Sequence, residues 1–248
     1  MEKSNRQWLL LRGLTRGQFH WGDFPQRLQS KFPKDEIILL DLPGNGYRYS
    51  EKSPFSVREY TEDLRAKFQN KGELHIIAFS FGAMVAVDWL VCFPSEIAKA
   101  YLVNTSSKGL LPFYKRLLPK NYLKIFQTLW LSKYQREKMI LEMTSNNLES
   151  QRNSILKFEK FAELYPVTGK NLYRQLVASG NFVFPEAIEK EKIALFVSSN
   201  DRLVSSENTL ALAKKWNLNP IVHPWAGHDL VLDDPEFVLS NLNPTTVG

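Results

Sequence analysis

The run Ile37-Ile38-Leu39-Leu40 is apolar at every position. A strand with one wet face alternates polar and apolar residues. One that is apolar throughout has to be covered on both faces, as in a parallel sheet held between helices. Six stretches have strand length and an apolar character: 7–12, 36–41, 73–79, 99–104, 193–199 and 220–224. Helical patterns alternate with them at 24–32, 57–68, 81–93, 206–216 and 235–242. Ser56, with Glu59 three residues on, is a capping-box start for the second of these. This alternation predicts an α/β fold, a doubly wound, mostly parallel sheet of about six strands.

One stretch breaks the pattern. Residues 110–184 are rich in aromatic and basic residues, are punctuated by Pro112, Pro119 and Pro166, and contain no clear strand. They read as an inserted helical cap, with 1–109 and 185–248 forming the core. The net charge of +6 is concentrated there: residues 108–180 hold 13 Lys and Arg against 5 Glu and no Asp.

Composition narrows the setting. With 44% apolar and 23% charged residues, the chain reads as a globular domain rather than a disordered one. No apolar run reaches the roughly 18 residues a membrane span needs. The first residues lack a secretory pattern, so a cytoplasmic location is the expectation. Cys92 is the only cysteine, which excludes an intrachain disulfide and a cysteine-rich zinc site; it reads as a packing residue.

The chemistry gathers where strands of such a sheet end. Ser80 follows an apolar strand, with Ala78 two positions before it and Gly82 two after, and a helical segment begins at Phe81. A strand that turns at once into a helix lifts its central side chain onto a tight bend and needs small neighbours. Asp201 and His228 follow two later strands. A neutral imidazole can take the serine proton and return it to a leaving group, and a carboxylate on its far nitrogen fixes the tautomer. The oxyanion that develops needs prearranged donors. The backbone amide of Phe81 is one candidate, and that of Leu14, in the glycine-containing loop 12–17, is the other.

Other readings are plainer. Asp229 reads as a loop hydrogen-bonding residue. Asn104 holds another position from which an acid could serve, but it cannot ionise. His75 and His223 read as structural. His20 and Trp21 are placed at the pocket edge, and Phe113 and Trp130 among the aromatics that line it, while most other aromatics of the helical stretch read as packing. No clustered ligand set suggests a metal, and Gly44-Asn45-Gly46 lacks the full spacing of a dinucleotide fingerprint.

Ala78-Phe79-Ser80-Phe81-Gly82 resembles the small-x-Ser-x-small turn of the α/β-hydrolase superfamily. Asp41-Leu42-Pro43-Gly44-Asn45-Gly46, Asn200-Asp201-Arg202 and Ala226-Gly227-His228-Asp229 resemble its other loops, in the same order. Two departures are Ala78 where glycine is usual and Arg12 where histidine often stands. The resemblance implies a serine esterase with Ser80, Asp201 and His228 as its triad, a small-molecule ester substrate and no cofactor. It equally admits thioesterases, lactonases, haloperoxidases, C–C bond hydrolases and lyases. Length and basic cap are also similar to the pimeloyl-ACP methyl ester carboxylesterases, which implies an acidic acyl carrier protein as a partner. The basic surface is otherwise a solvated face, a dock for a CoA thioester or a dock for an acidic membrane; nucleic acid lacks a recognisable motif. A non-catalytic binding protein on a hydrolase scaffold is the alternative of another class.

Overall fold

The computed structural model describes residues 6–69, 71–128 and 130–244. Strands and helices alternate along the first part of the chain: β1 (Arg6–Leu11), α1 (Phe24–Lys31), β2 (Glu36–Leu39), α2 (Val57–Lys67), β3 (Glu73–Phe79), α3 (Phe81–Cys92) and β4 (Ile97–Val103). Five helices then follow without a strand: α4 (Phe113–Arg116), α5 (Tyr122–Gln127), α6 (Lys133–Thr144), α7 (Leu148–Leu164) and α8 (Gly169–Asn181). The chain returns to alternation with β5 (Ile193–Ser198), α9 (Glu207–Trp216), β6 (Ile221–His223), α10 (Leu230–Asp233) and α11 (Pro235–Ser240).

The six strands form one parallel sheet in the order β2-β1-β3-β4-β5-β6. Successive side chains feed two separate cores, which is why the strands lack polar alternation. Leu9, Leu11, Ile76, Ala78, Ala100 and Leu102 point to one face, against Tyr60, Leu64, Val85 and Leu212 of α2, α3 and α9. Trp8, Leu10, Ile77, Phe79, Tyr101 and Val103 point to the other, against Phe24, Leu28, Val238 and Leu239 of α1 and α11. The outer strands are short, four residues in β2 and three in β6.

The observed fourth strand begins two residues before the predicted one and releases Asn104 into a turn at φ 47°. Asparagine tolerates that left-handed conformation because its short side chain bonds locally. Here the carboxamide oxygen accepts from the Ser198 amide at 2.8 Å, and Nδ2 donates to the His228 carbonyl at 2.8 Å. The residue considered as a position for an acid is thus a brace between two strand ends.

The strandless helices are bolted to the sheet by α8. Gln175, fully buried, accepts from the Thr15 amide at 2.9 Å and donates to Asn45 Oδ1 at 2.7 Å and to Ser53 Oγ at 3.1 Å. Phe19 stacks on Phe161 with ring centroids 3.7 Å apart, and Tyr165 closes the same cluster against Tyr47. Among the described residues no helix is long and apolar enough to cross a membrane.

Candidate active site

Ser80 caps α3 at φ 52°, ψ −112°, a conformation costly for any residue with a Cβ. The strain is held by the flanks: its amide donates to the Val103 carbonyl at 2.9 Å, and its carbonyl accepts from Thr105 Oγ1 at 3.0 Å. Gly82 must be glycine, because a Cβ there would lie 2.7 Å from the Arg12 carbonyl oxygen. The steric demand read from the sequence thus comes from the end of β1, which passes directly under the first turn of α3.

Asp201 and His228 are directly joined. Nδ1–H of His228 donates to Oδ2 of Asp201 at 2.6 Å, and both side chains are buried. The other carboxylate oxygen accepts from the amides of Leu203 and Val204 at 2.8 and 2.9 Å. Burial works against charging the imidazole, but the attraction of Asp201 and its hydrogen bond outweigh it, and the His228 pKa is raised above 6.5.

Ser80 and His228 line one cavity of about 720 Å³, together with Leu14, Phe81, Met84 and residues from α4 to α8. The Ser80 hydroxyl makes no hydrogen bond to another described residue. The amides of Leu14 and Phe81 likewise find no acceptor among the described residues. The Phe81 amide is one of the donors that every helix start leaves over.

The loop carrying Leu14 is shaped by Asp41. Its carboxylate accepts from the Gln18 amide at 2.6 Å, from Gln18 Nε2 at 2.9 Å and from the Tyr47 amide at 2.8 Å. Gly46, at φ 51°, leaves room for it, since a Cβ there would sit 2.2 Å from Oδ2. The motif Asp41-Leu42-Pro43-Gly44-Asn45-Gly46 is therefore a clamp on the loop after β1.

Of the four pocket residues chosen from sequence, His20 lines the cavity. Arg16 donates to its Nε2 at 2.9 Å, which leaves Nδ1–H to meet the Gly17 carbonyl at 3.1 Å. Burial, then the charges of Arg16 and Arg12, hold its pKa well below 6.5, so it is a neutral wall residue. Trp21 is a correction: it is turned into the core against Phe24 and Phe79, because a full indole gains more there than at a wet rim. Trp130 is a second: it stands exposed on the outside, edge-on to Phe126. Phe113 opens α4, and its side chain lies outside the described part of the structure.

Two features escaped the sequence reading. Arg12 forms a buried, two-pronged ion pair with Asp229, one arm at 3.0 Å, joining the end of β1 to the residue after His228. Arg16 pairs with Glu137 of α6 at 2.6 Å inside the cavity. The signal for the second was available: Glu137 is the first acid after a long basic stretch. Among the described residues no group of three His, Cys, Asp or Glu could hold a metal ion.

The sequence profile of the alpha/beta hydrolase family matches residues 8–240, and the chain belongs to that family. Similar solved structures include a candidate lipase (lip1) from Acinetobacter baumannii AYE, with TM-score 0.74, 22% identity, and 95% of this chain and 81% of that one covered. The hydrolase olei00960 from Oleispira antarctica gives 0.72 at 15% identity, covering 97% and 89%. The esterase RhEst1 from Rhodococcus sp. ECU1013 gives 0.69 at 14%, covering 96% and 90%. A curated relative, a peptidoglycan D,D-transpeptidase FtsI homolog from Mesostigma viride, is 28% identical over a 157-residue alignment that covers 56% of this chain and 25% of that protein.

Proposed function

We propose that the protein is a serine hydrolase that cleaves a carboxylic ester through an acyl-enzyme on Ser80. The observation that carries this reading is the strained Ser80 at the strand-to-helix turn, opening into the same cavity as an imidazole already bonded to Asp201. Oγ of Ser80 attacks the ester carbonyl carbon and its proton passes to Nε2 of His228. The carbonyl oxygen becomes an oxyanion facing the amides of Leu14 and Phe81. Collapse expels the alcohol, which takes the proton from His228. Water then attacks the acyl carbon, gives a proton to His228, and the acid leaves as that proton returns to Ser80. Asp201 orients the ring and stabilises its charged form. Helices α4 to α8 act as the cap that walls the cavity and selects the substrate.

The test is covalent labelling with a fluorophosphonate followed by peptide mass mapping, with turnover of p-nitrophenyl esters alongside. The label should fall on Ser80, and Ser80→Ala should lower turnover roughly a millionfold. Folded protein that takes no label, or a Ser80→Ala variant with normal turnover, rejects the reading and favours a binding protein on this frame.

A further inference from the structure

We infer that the outer face of residues 108–136 is a docking surface for an anionic lipid bilayer. This stretch contains seven Lys and Arg and no Asp or Glu. Lys115 is neutralised by Glu207 at 2.7 Å, and Arg116 turns inward to the carbonyls of Ser179 and Gly180. Lys120, Lys124 and Lys133 are exposed and have no carboxylate partner among the described residues.

Apolar groups stand between these cations. Tyr122, Leu123, Phe126 and Trp130 are 40%, 66%, 58% and 69% exposed. Their spacing puts them on one side of α5 and the turn after it, facing water. Ile125 and Thr128 of the same stretch face the cavity instead. The helix thus has an apolar face on the solvent side that no other described residue covers.

A solvated surface does not gather large apolar side chains in this way. A protein partner is the weaker fit, because protein interfaces are depleted in lysine. Lysines interleaved with Trp, Phe and Leu match a membrane interface, where the rings sit at headgroup depth and ammonium groups meet lipid phosphate. Leu117, Lys133 and Arg136 of this stretch also line the cavity, so a bound bilayer would lie next to its wall.

The experiment is sedimentation of the full chain with vesicles of phosphatidylcholine mixed with phosphatidylglycerol, against vesicles of phosphatidylcholine alone. Binding to the anionic vesicles, weakened by salt, is expected. Lys120→Gln with Lys124→Gln should lower partition about 25-fold, at about fivefold for each lysine. Leu123→Ser with Phe126→Ser should also release the protein, while turnover of soluble p-nitrophenyl butyrate stays unchanged, because neither residue lines the cavity. Ser80→Ala should bind as the parent does, so docking is read independently of the proposed chemistry. Equal binding to both vesicle types, or none to either, overturns the inference. So does retention by Leu123→Ser with Phe126→Ser, or a larger sedimenting species without lipid that this variant abolishes. Capture of an acidic acyl carrier protein by the same lysines, with no vesicle binding, assigns the face to a protein partner instead.

Discussion

A side chain at φ 52° is tolerated only because its surroundings overdetermine it, so Ser80 stores strain that substitution can release. Glycine adopts that conformation freely and alanine does not. Ser80→Gly should therefore be more stable than Ser80→Ala by about 1 kcal/mol, read from urea unfolding midpoints. Two histidines carry opposite pH signs. His228 has its folded pKa raised, first against burial and then by Asp201, so its stabilising effect is full below pH 6.5 and fades as pH rises through the folded value. If it is the base, turnover climbs with pH through that same value. Asp201→Asn should shift this acid limb to lower pH and cut kcat about ten-thousandfold, both visible in a pH–rate profile. His75 is pushed down to about 4 by burial and by Arg6, and neither ring nitrogen finds a hydrogen-bond partner among the described residues. The unfolded chain takes up that proton first, so stability falls as pH drops from 6.5 towards 4. His75→Leu should remove about 1.6 kcal/mol of the loss between pH 6.5 and 5, measured by denaturant titration at the two pH values.

At the scale of elements, the contact to watch joins β1 to the loop that carries His228. Arg12 and Asp229 are both buried, and the guanidinium also lies 5.0 Å from the Trp21 ring centre and 5.1 Å from that of Phe79. Removing one partner strands the other charge. Arg12→Met alone should cost roughly 3–5 kcal/mol, whereas Arg12→Met with Asp229→Leu should regain most of it, as a double-mutant cycle on thermal unfolding would show. Whether an element could be read from the chain depended on where its determinants lie. Strands such as 73–79 were legible because burial on two faces is written locally, here as the unbroken apolar run 76–79. The turn at Ser80 was legible because the close approach of β1 demands Gly82. The Arg12–Asp229 pair was not, since 217 positions separate its members and neither has a local signature. Nor could ring directions be read: Trp21 and Trp130 carry the same side chain in aromatic-rich stretches, and only tertiary packing sends one into the core and the other to the surface.

The whole molecule is two layers of core on one sheet, with helices α4 to α8, the proposed roof, tied into the first layer. Ala178 of α8 and Phe184 just after it are part of the core under α3 and α9. With Gln175 bonded to three core positions, the roof should not melt separately. Tryptophan fluorescence and far-ultraviolet circular dichroism are expected to trace one coincident urea transition, and two separated midpoints would show the roof to be an independent unit. The sheet's brief outer strands have a practical corollary. Each offers only three or four backbone positions on which a neighbouring molecule could build a ladder. At high concentration, losses of this protein on storage should therefore track how often it opens globally, and seeding with preformed fibrils should not hasten them.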